Sequence, residues 1–244
     1  MNKSGLFLWI NVFVFSAALS GCDIETQSLV NPTEFSFSYD FEADAQGWED
    51  AFADYPVGEE DFFELSFAHD TLPENLPQRG ALRISGNNHS DDLFMFLRKQ
   101  VSGLKPNTAY NIIFHVELAS QYPESSVGVG GSPGASVAML VGAMRRQPGV
   151  VEGNLGYDAM VPNFDHRIPF ERGQKTDDVL NIGNIGIPGE EFIYTLISRS
   201  NEDIPFVETT DKDGKIWVIV GTDSGFEATT TLFYDQIDIT FREN

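Results

Sequence analysis

The sequence has few positive charges. Fifteen Lys and Arg residues stand against 37 Asp and Glu residues, and the formal net charge at pH 7 is −22. Binding to a phosphate backbone needs a basic surface, so this balance argues against nucleic acid as a partner. An anionic lipid surface would also repel the chain, so charge does not attach it to a membrane.

Cysteine and helical periodicity are also scarce. Cys22 is the only cysteine in 244 residues, which excludes an internal disulfide bond. After residue 21 no segment keeps an amphipathic helical period over about 12 residues, and parallel βαβ units need such helices. We therefore expect the core of a β structure to stabilise the chain, together with any metal ion that it binds.

Residues 1–21 have the organisation of a secretory signal. Lys3 precedes an apolar run, residues 6–19, which is shorter than the roughly 20 residues that span a bilayer as a helix. Leu19-Ser20-Gly21-Cys22 resembles the lipobox of bacterial lipoproteins, in which the cysteine is acylated and becomes the first mature residue. The resemblance implies a lipoprotein of the bacterial cell envelope, with palmitate or a related acyl chain on Cys22 as its membrane anchor. An ordinary signal peptide with a stray cysteine is the alternative.

A change of pattern near residue 34 marks the start of the domain. Residues 22–33 are polar and aperiodic, as expected for a tether. From Glu34 onward, apolar Phe35, Phe37, Tyr39 and Phe41 alternate with polar residues, which is typical of a half-buried strand. We divide the chain into a signal peptide (1–21), a lipidated cysteine with its tether (22–33) and one domain (34–244).

Further strand-like runs follow turn residues along this domain. They cover residues 62–67, 81–85, 93–98, 110–118, 137–142, 192–198, 216–221 and 232–241. Between Arg145 and Ile187 prolines interrupt the pattern, which indicates a long excursion that carries short strands. Without helices to connect parallel strands, the sequence predicts an all-β fold, an antiparallel jelly-roll β-sandwich.

Both ends of the domain resemble a known class. Tyr39-Asp40-Phe41-Glu42 with Gly47-Trp48, and residues 233–239 at the last strand, resemble the terminal strands of jelly-roll carbohydrate-binding modules with a galactose-binding-like sandwich. The whole chain also resembles a group of uncharacterised bacterial lipoproteins, through segments such as 86–92 and 221–227. The first resemblance implies that the first and last strands are neighbours in one sheet.

That resemblance also implies a structural calcium ion between the first and last strands. Calcium takes six to eight oxygen ligands, commonly carboxylates and backbone carbonyls. The residues that match the ligands of those modules are Glu42, Asp235 and, more weakly, Asp40. The alternative is that these are solvent-exposed strand residues.

Loops of the domain collect polar side chains and aromatic rings of the kind that bind sugars. Flat rings stack on sugar faces while neighbouring polar groups hold the hydroxyls. The candidate ligand-binding residues are Asn88, His89, Asp91, Asp92, Trp48, Asp223 and Glu227. Tyr55, Tyr122 and Tyr157 also lie in loop-like surroundings. Turn formation and capping are the alternative explanation of such polar residues, and Trp48 would serve as well as a plug for the sandwich core.

The sequence therefore favours a non-catalytic binding domain that presents its loops to a glycan or an envelope protein. The alternatives are a structural or protein-interaction lipoprotein without sugar affinity and, third, a glycan-active hydrolase. No catalytic residue is assigned. Residues 130–134 fit the pattern G-x-S-x-G, but Pro133 lacks the backbone N–H that such a serine site uses for its oxyanion.

Overall fold

The structure is a computed structural model that describes residues 33–89, 92–167 and 171–244. The predicted signal peptide, Cys22 and the tether up to residue 32 lie outside these residues. No helix in the described ranges is long and apolar enough to cross a membrane.

The described residues form strands joined by turns and irregular segments. In chain order the strands are β1 (Glu34–Tyr39), β2 (Glu49–Ala53), β3 (Tyr55–Pro56), β4 (Ser66–Thr71), β5 (Gly80–Asn87), β6 (Leu93–Val101), β7 (Ala109–Ser120), β8 (Val137–Met144), β9 (Val150–Asn154), β10 (Asp158–Pro162), β11 (Val179–Asn184), β12 (Thr195–Ser200), β13 (Val207–Thr209), β14 (Ile216–Ser224) and β15 (Thr229–Glu243).

Two antiparallel sheets make up the sandwich. The first has the order β12-β7-β15-β5-β4, and in addition β1 pairs with β15 and β13 with β7. The second has the order β11-β8-β14-β6-β2, and a small third sheet has the order β3-β10-β9. The first and last strands are neighbours, in register from Glu34↔Arg242 to Tyr39↔Ile237. The predicted all-β jelly-roll sandwich is confirmed.

Strand periodicity builds the main core between the two sheets. On β15, Leu232 and Tyr234 point into the core, and then the phase changes so that Ile237, Ile239 and Phe241 continue the buried row. The change of phase coincides with a bulge between Tyr234 and Gln236 in the pairing with β7. Asp235 is the extra residue of this bulge and is buried.

The excursion between Arg145 and Ile187 covers the outer face of the second sheet. Phe94 and Phe96 of β6 lie on that face and pack against Phe164 of the excursion. Because both faces of β6 are buried, residues 93–97 are all apolar and show no alternation. The excursion carries β9, β10 and β11, as the sequence predicts.

Two predicted strands begin later than the sequence pattern suggests. The run 62–67 contributes only its end to β4, because Phe63 and Leu65 donate backbone hydrogen bonds to Glu59 and Glu60 and so close turns. The run 192–198 likewise becomes strand only at Thr195. Phe62 and Phe192 are apolar but exposed residues outside the strands. Because the sequence pattern does not distinguish them from buried strand residues, it predicts strands that start too early.

Candidate functional site

The strand β15 runs from one end of the sandwich to the other, so its pairing partners show which residues lie at each end. Near its end, Arg242 pairs with Glu34, where the domain begins. At its start, Thr229 pairs with Asn87, the last residue of β5. At about 3.4 Å per residue these two points lie about 40 Å apart. We call the end at Asn87 the distal end.

A cleft with aromatic walls opens at the distal end. It has a volume of about 420 Å³ and is lined by Pro56, Glu59, Phe62, Phe63, His89 and Tyr157. The side chains of Phe62 and Tyr157 are 56% and 40% exposed, whereas Phe63 is buried beneath them at 2%. We call this feature the aromatic cleft.

Rings inside the cleft hold one another in place. Phe62 stacks on the imidazole of His89 with 4.1 Å between centroids, and His89 Nε2 donates a hydrogen bond to the Phe62 carbonyl over 3.2 Å. Phe63 meets both rings edge-on, at 5.8 Å from Phe62 and 5.3 Å from His89. The exposed face of Phe62 is therefore a supported platform.

Backbone hydrogen bonds tie the walls of the cleft to the sandwich. The amide of Asn87 donates to the carbonyl of Phe63 over 2.6 Å, which joins the 57–64 loop to β5. The amide of Val57 donates to Asp158 over 3.1 Å, which joins the same loop to the hairpin carrying Tyr157. Binding to a preformed site avoids the entropic cost of ordering loops.

A second group of side chains, Asp54, Asp92, His166, Arg167 and Asp223, forms what we call the charged cluster. His166 Nε2 lies 2.6 Å from an Asp54 carboxylate oxygen, and its ring stacks on Phe94 at 4.7 Å. Arg167 reaches Asp92 at 3.2 Å and Asp54 at 3.7 Å. Asp54 adopts a positive φ of 63°, and it is fully buried together with a nearly buried His166.

Two pKa values are raised in the charged cluster. Burial lowers the pKa of His166, but the hydrogen bond and charge of Asp54 outweigh it and raise this pKa above its ordinary value. Burial raises the pKa of Asp223 to about 7, with Asp92 and Asp54 adding to the rise and His166 and Arg167 opposing it. Burial in this cluster therefore favours the neutral form of the Asp223 carboxyl group.

The predicted loop residues separate into different roles. His89 lines the aromatic cleft, while Asp92 and Asp223 belong to the charged cluster. Asn88 is buried and donates its side-chain amide to the carbonyls of Ser224 and Phe226, over 2.7 and 2.9 Å, so it connects two loops. Glu227 is half-buried, and Asp91 lies outside the described residues.

Trp48 does not offer its ring to a ligand. It is 3% exposed and packs edge-on against Tyr39 with 5.5 Å between centroids. Tyr55 and Tyr122 are also buried, which leaves Tyr157 as the one exposed ring among the four aromatic residues considered. Of the two roles that the sequence allows for Trp48, the structure supports the one in which its ring closes the sandwich core.

Two of the three predicted calcium ligands, Asp235 and Glu42, lie close to Arg79. Arg79 donates two hydrogen bonds to the buried carboxylate of Asp235 and one to Glu117, over 2.9 Å. Glu42 accepts from the amide of Gly80 over 3.3 Å, and Asp40 is exposed and accepts from Gln46 over 3.0 Å. Within the described ranges no three His, Cys, Asp or Glu side chains are arranged to hold a metal ion. Calcium stays a prediction.

A larger groove of about 810 Å³ lies where β11 and β12 form the edges of the two sheets. Both of its arginines are engaged within the chain. Arg199 donates to the carbonyls of Asn184 and Gly186 over 2.8 and 2.9 Å, and Arg172 forms a double hydrogen bond with Asp203. The aromatic cleft, with exposed rings, is better equipped for a ligand.

Two features of these sites escaped the sequence analysis. Asp54 and His166 are 112 residues apart, so no local motif connects them. Phe62 has acidic neighbours on both sides, at Glu59, Glu60, Asp61 and Glu64. These neighbours are the sequence signal that indicates a loop at Phe62 instead of a strand.

Comparison with protein families and with curated proteins gives no match. Among solved structures, the chain is similar to the CBM22-1 xylan-binding domain of Xyn10C from Paenibacillus barcinonensis, with 10% identity and a TM-score of 0.39 over 85% of this chain and 94% of that one. A putative sugar binding protein from Bacteroides thetaiotaomicron gives 10% identity and a TM-score of 0.40 over 84% and 91%.

An adhesin domain shares the same level of similarity. The K1 cleaved adhesin domain of Lys-gingipain from Porphyromonas gingivalis has 10% identity and a TM-score of 0.38 over 86% of this chain and 99% of that one. Similarity this distant says nothing about which ligand this chain binds. The function has to be argued from the residues of the chain itself.

Proposed function

We propose that this protein is a membrane-anchored envelope lipoprotein whose domain binds a glycan, without catalysis, in the aromatic cleft. The observation that carries the proposal is the pair of exposed rings, Phe62 and Tyr157, on two loops that are joined by a backbone hydrogen bond and lie beside Glu59 and His89. A sugar presents apolar C–H faces and hydroxyl groups, and such a cleft offers a partner to each.

The position of the cleft suits a tethered binding protein. Thr33 precedes β1 at the end of the sandwich opposite to the cleft. A lipid on Cys22 would therefore be joined to the domain through the chain end farther from the cleft, so the tether would not enter the domain at the cleft.

Replacing Phe62 with alanine tests glycan binding. The change removes the exposed platform and leaves the buried core in place, so affinity should fall at least tenfold, or about 1.4 kcal/mol. A glycan array identifies the ligand, and titration calorimetry measures the affinity of both proteins.

Phe192→Ala is the matched control, because Phe192 is 58% exposed on a different loop and lines no part of the cleft. It should bind the glycan like the wild type. Equal losses in both variants, or no glycan on the array, would contradict the proposal.

Cys22→Ala tests the anchor. Without the thiol no thioether-linked lipid forms, so the variant should take up no labelled fatty acid and should leave the membrane fraction. Metabolic labelling followed by fractionation measures both effects. A wild-type protein that takes up no label would disprove lipidation.

Exposed apolar side chains favour protein interaction as a second candidate function. Val127 and Val129 are 93% and 66% exposed in the loop after β7. Phe192 and Ile193, which precede β12, are 58% and 50% exposed. Large exposed apolar groups are common where proteins associate. A partner protein whose binding depends on Val127 and not on Phe62 would support this alternative.

A further inference from the structure

The charge of the aromatic cleft restricts the kind of glycan it can take. Glu59 lines the cleft, and its carboxylate makes no salt bridge with any described residue. Glu60, Asp61 and Glu64 lie exposed on the same loop, and no Lys or Arg is among the described residues that line the cleft.

The aromatic faces of the cleft also favour a positively charged ligand group. The face of an aromatic ring carries partial negative charge, so a cation held over Phe62 or Tyr157 is attracted to it. A carboxylate in the same cleft attracts the ammonium as well, so the two attractions add. Glu59 supplies that carboxylate within the same cleft.

The charge of the whole chain acts in the same direction. A net charge of −22 produces a negative potential that repels uronic acids and sulfated sugars and attracts cations. The potential is strongest in a concave site with low-dielectric walls, and the aromatic cleft is such a site. An acidic polysaccharide is therefore disfavoured both locally and at a distance.

We propose that the ligand of the aromatic cleft is a glycan with free amino groups, of the glucosamine type, whose ammonium pairs with Glu59 while its ring stacks on Phe62. This inference rests on the proposed glycan-binding function and names the chemical class of its ligand. The pyranose ring contributes the apolar face, and the amino group contributes the charge that selects it.

Three oligosaccharides of equal length and one peptide test the inference. Affinities of the full-length mature protein are measured in detergent for hexaglucosamine, its fully N-acetylated counterpart, hexagalacturonate and hexalysine at mildly acidic pH. Hexaglucosamine should bind at least about tenfold more tightly than the N-acetylated hexamer, and the difference should shrink in high salt. Hexagalacturonate should not bind.

Glu59→Gln should abolish most of this preference without affecting the weaker binding of the N-acetylated sugar. Asp61→Asn removes the same charge from the same loop but not from the cleft lining, and should retain the preference. Phe62→Ala should weaken both sugars. These three variants separate specific pairing in the cleft from general attraction between a cation and an acidic protein.

The remaining outcomes distinguish failure of the amino-sugar inference from failure of the proposed glycan binding. If both hexamers bind equally and Glu59→Gln changes neither, the amino-sugar inference is wrong while glycan binding in the cleft stands. If hexalysine binds as tightly as hexaglucosamine, the cleft recognises charge alone and the inference is wrong. If no sugar binds and Phe62→Ala has no effect, the proposed function fails as well.

Discussion

Replacing Asp223 with asparagine should stabilise the protein by about 4 kcal/mol at pH 8. The pKa of Asp223 is raised to about 7 in the folded protein, mainly by burial, against roughly 3.9 in an unfolded chain. Each unit of difference corresponds to about 1.36 kcal/mol, and asparagine keeps the shape of the side chain without its charge. The melting temperature should rise by about 10 °C for a domain of this size.

The sign of this effect depends on pH in a defined way. Below about pH 4 the carboxyl group is protonated in both states and the substitution changes little. Between about pH 4 and 7 the unfolded chain ionises while the folded protein keeps its proton, so the stability of the wild type falls as pH rises. Above about pH 7 the full cost is present, and the gain of Asp223→Asn reaches its maximum.

His166 contributes a pH dependence in the same direction. Its pKa is raised in the folded state, so its stabilising contribution is complete below the unfolded value of roughly 6.5 and is lost as pH rises through the folded value. Thermal melts of wild type and Asp223→Asn from pH 4 to pH 8 measure both effects. Asp61→Asn, an exposed control, should stay within about 0.5 kcal/mol of wild type. A less stable Asp223→Asn protein at pH 8 would contradict this account.

The fold could be predicted from the sequence because strand periodicity is local. Alternation from Phe35 to Phe41 gives β1, and the unbroken apolar run at residues 93–97 gives a strand buried on both faces. The resemblance of the terminal strands also correctly placed β1 beside β15. These features depend on side chains that are near each other in sequence.

The sites could be predicted only in part, because they are assembled from distant segments. The sequence points to His89, because polar residues cluster around it in one loop. It predicts a strand at Phe62, because an exposed ring and a buried ring give the same sequence pattern. It gives no sign of the Asp54–His166 pair, which forms only when the excursion folds back over the second sheet.

Arg79 has the second large expected effect. Its guanidinium is the counterion of Asp235, whose side chain is 2% exposed on the bulge of β15. The hydrogen bond and charge of Asp235 raise the pKa of Arg79, and the same carboxylate raises the pKa of neighbouring Glu117. Arg79 is itself 38% exposed, so the pair is only partly desolvated. Removing the arginine should cost about 2–3 kcal/mol, less than the roughly 3–5 kcal/mol typical of a fully buried pair, because solvent screens part of the charge that Asp235 then leaves uncompensated.

Arg79→Ala should therefore lower the melting temperature by roughly 5–10 °C. Arg242→Ala is the matched control, since the Arg242–Glu34 pair is about half exposed on both sides and should be worth no more than about 1 kcal/mol. Adding Asp235→Asn to Arg79→Ala should recover part of the loss, because the uncompensated charge is then gone. An Arg79→Ala protein that melts within a degree or so of wild type would contradict the buried-pair argument.

The same variants test the predicted calcium ion. Calcium bound to the folded state at a hundredfold excess over its Kd would add about 2.7 kcal/mol of stability, and a chelator would remove it. If calcium is held by Glu42, Asp235 and Asp40, the wild type should melt several degrees lower in chelator, and Asp235→Ala should lose that response. If Arg79 takes the place of the ion, only Arg79→Ala should respond to added calcium, because the Asp235 carboxylate, which otherwise accepts two hydrogen bonds from the guanidinium, is then available to a cation. A wild-type melting curve that is indifferent to chelator and to calcium would rule out the bound ion, and the guanidinium would remain as the cation at the junction of the first and last strands.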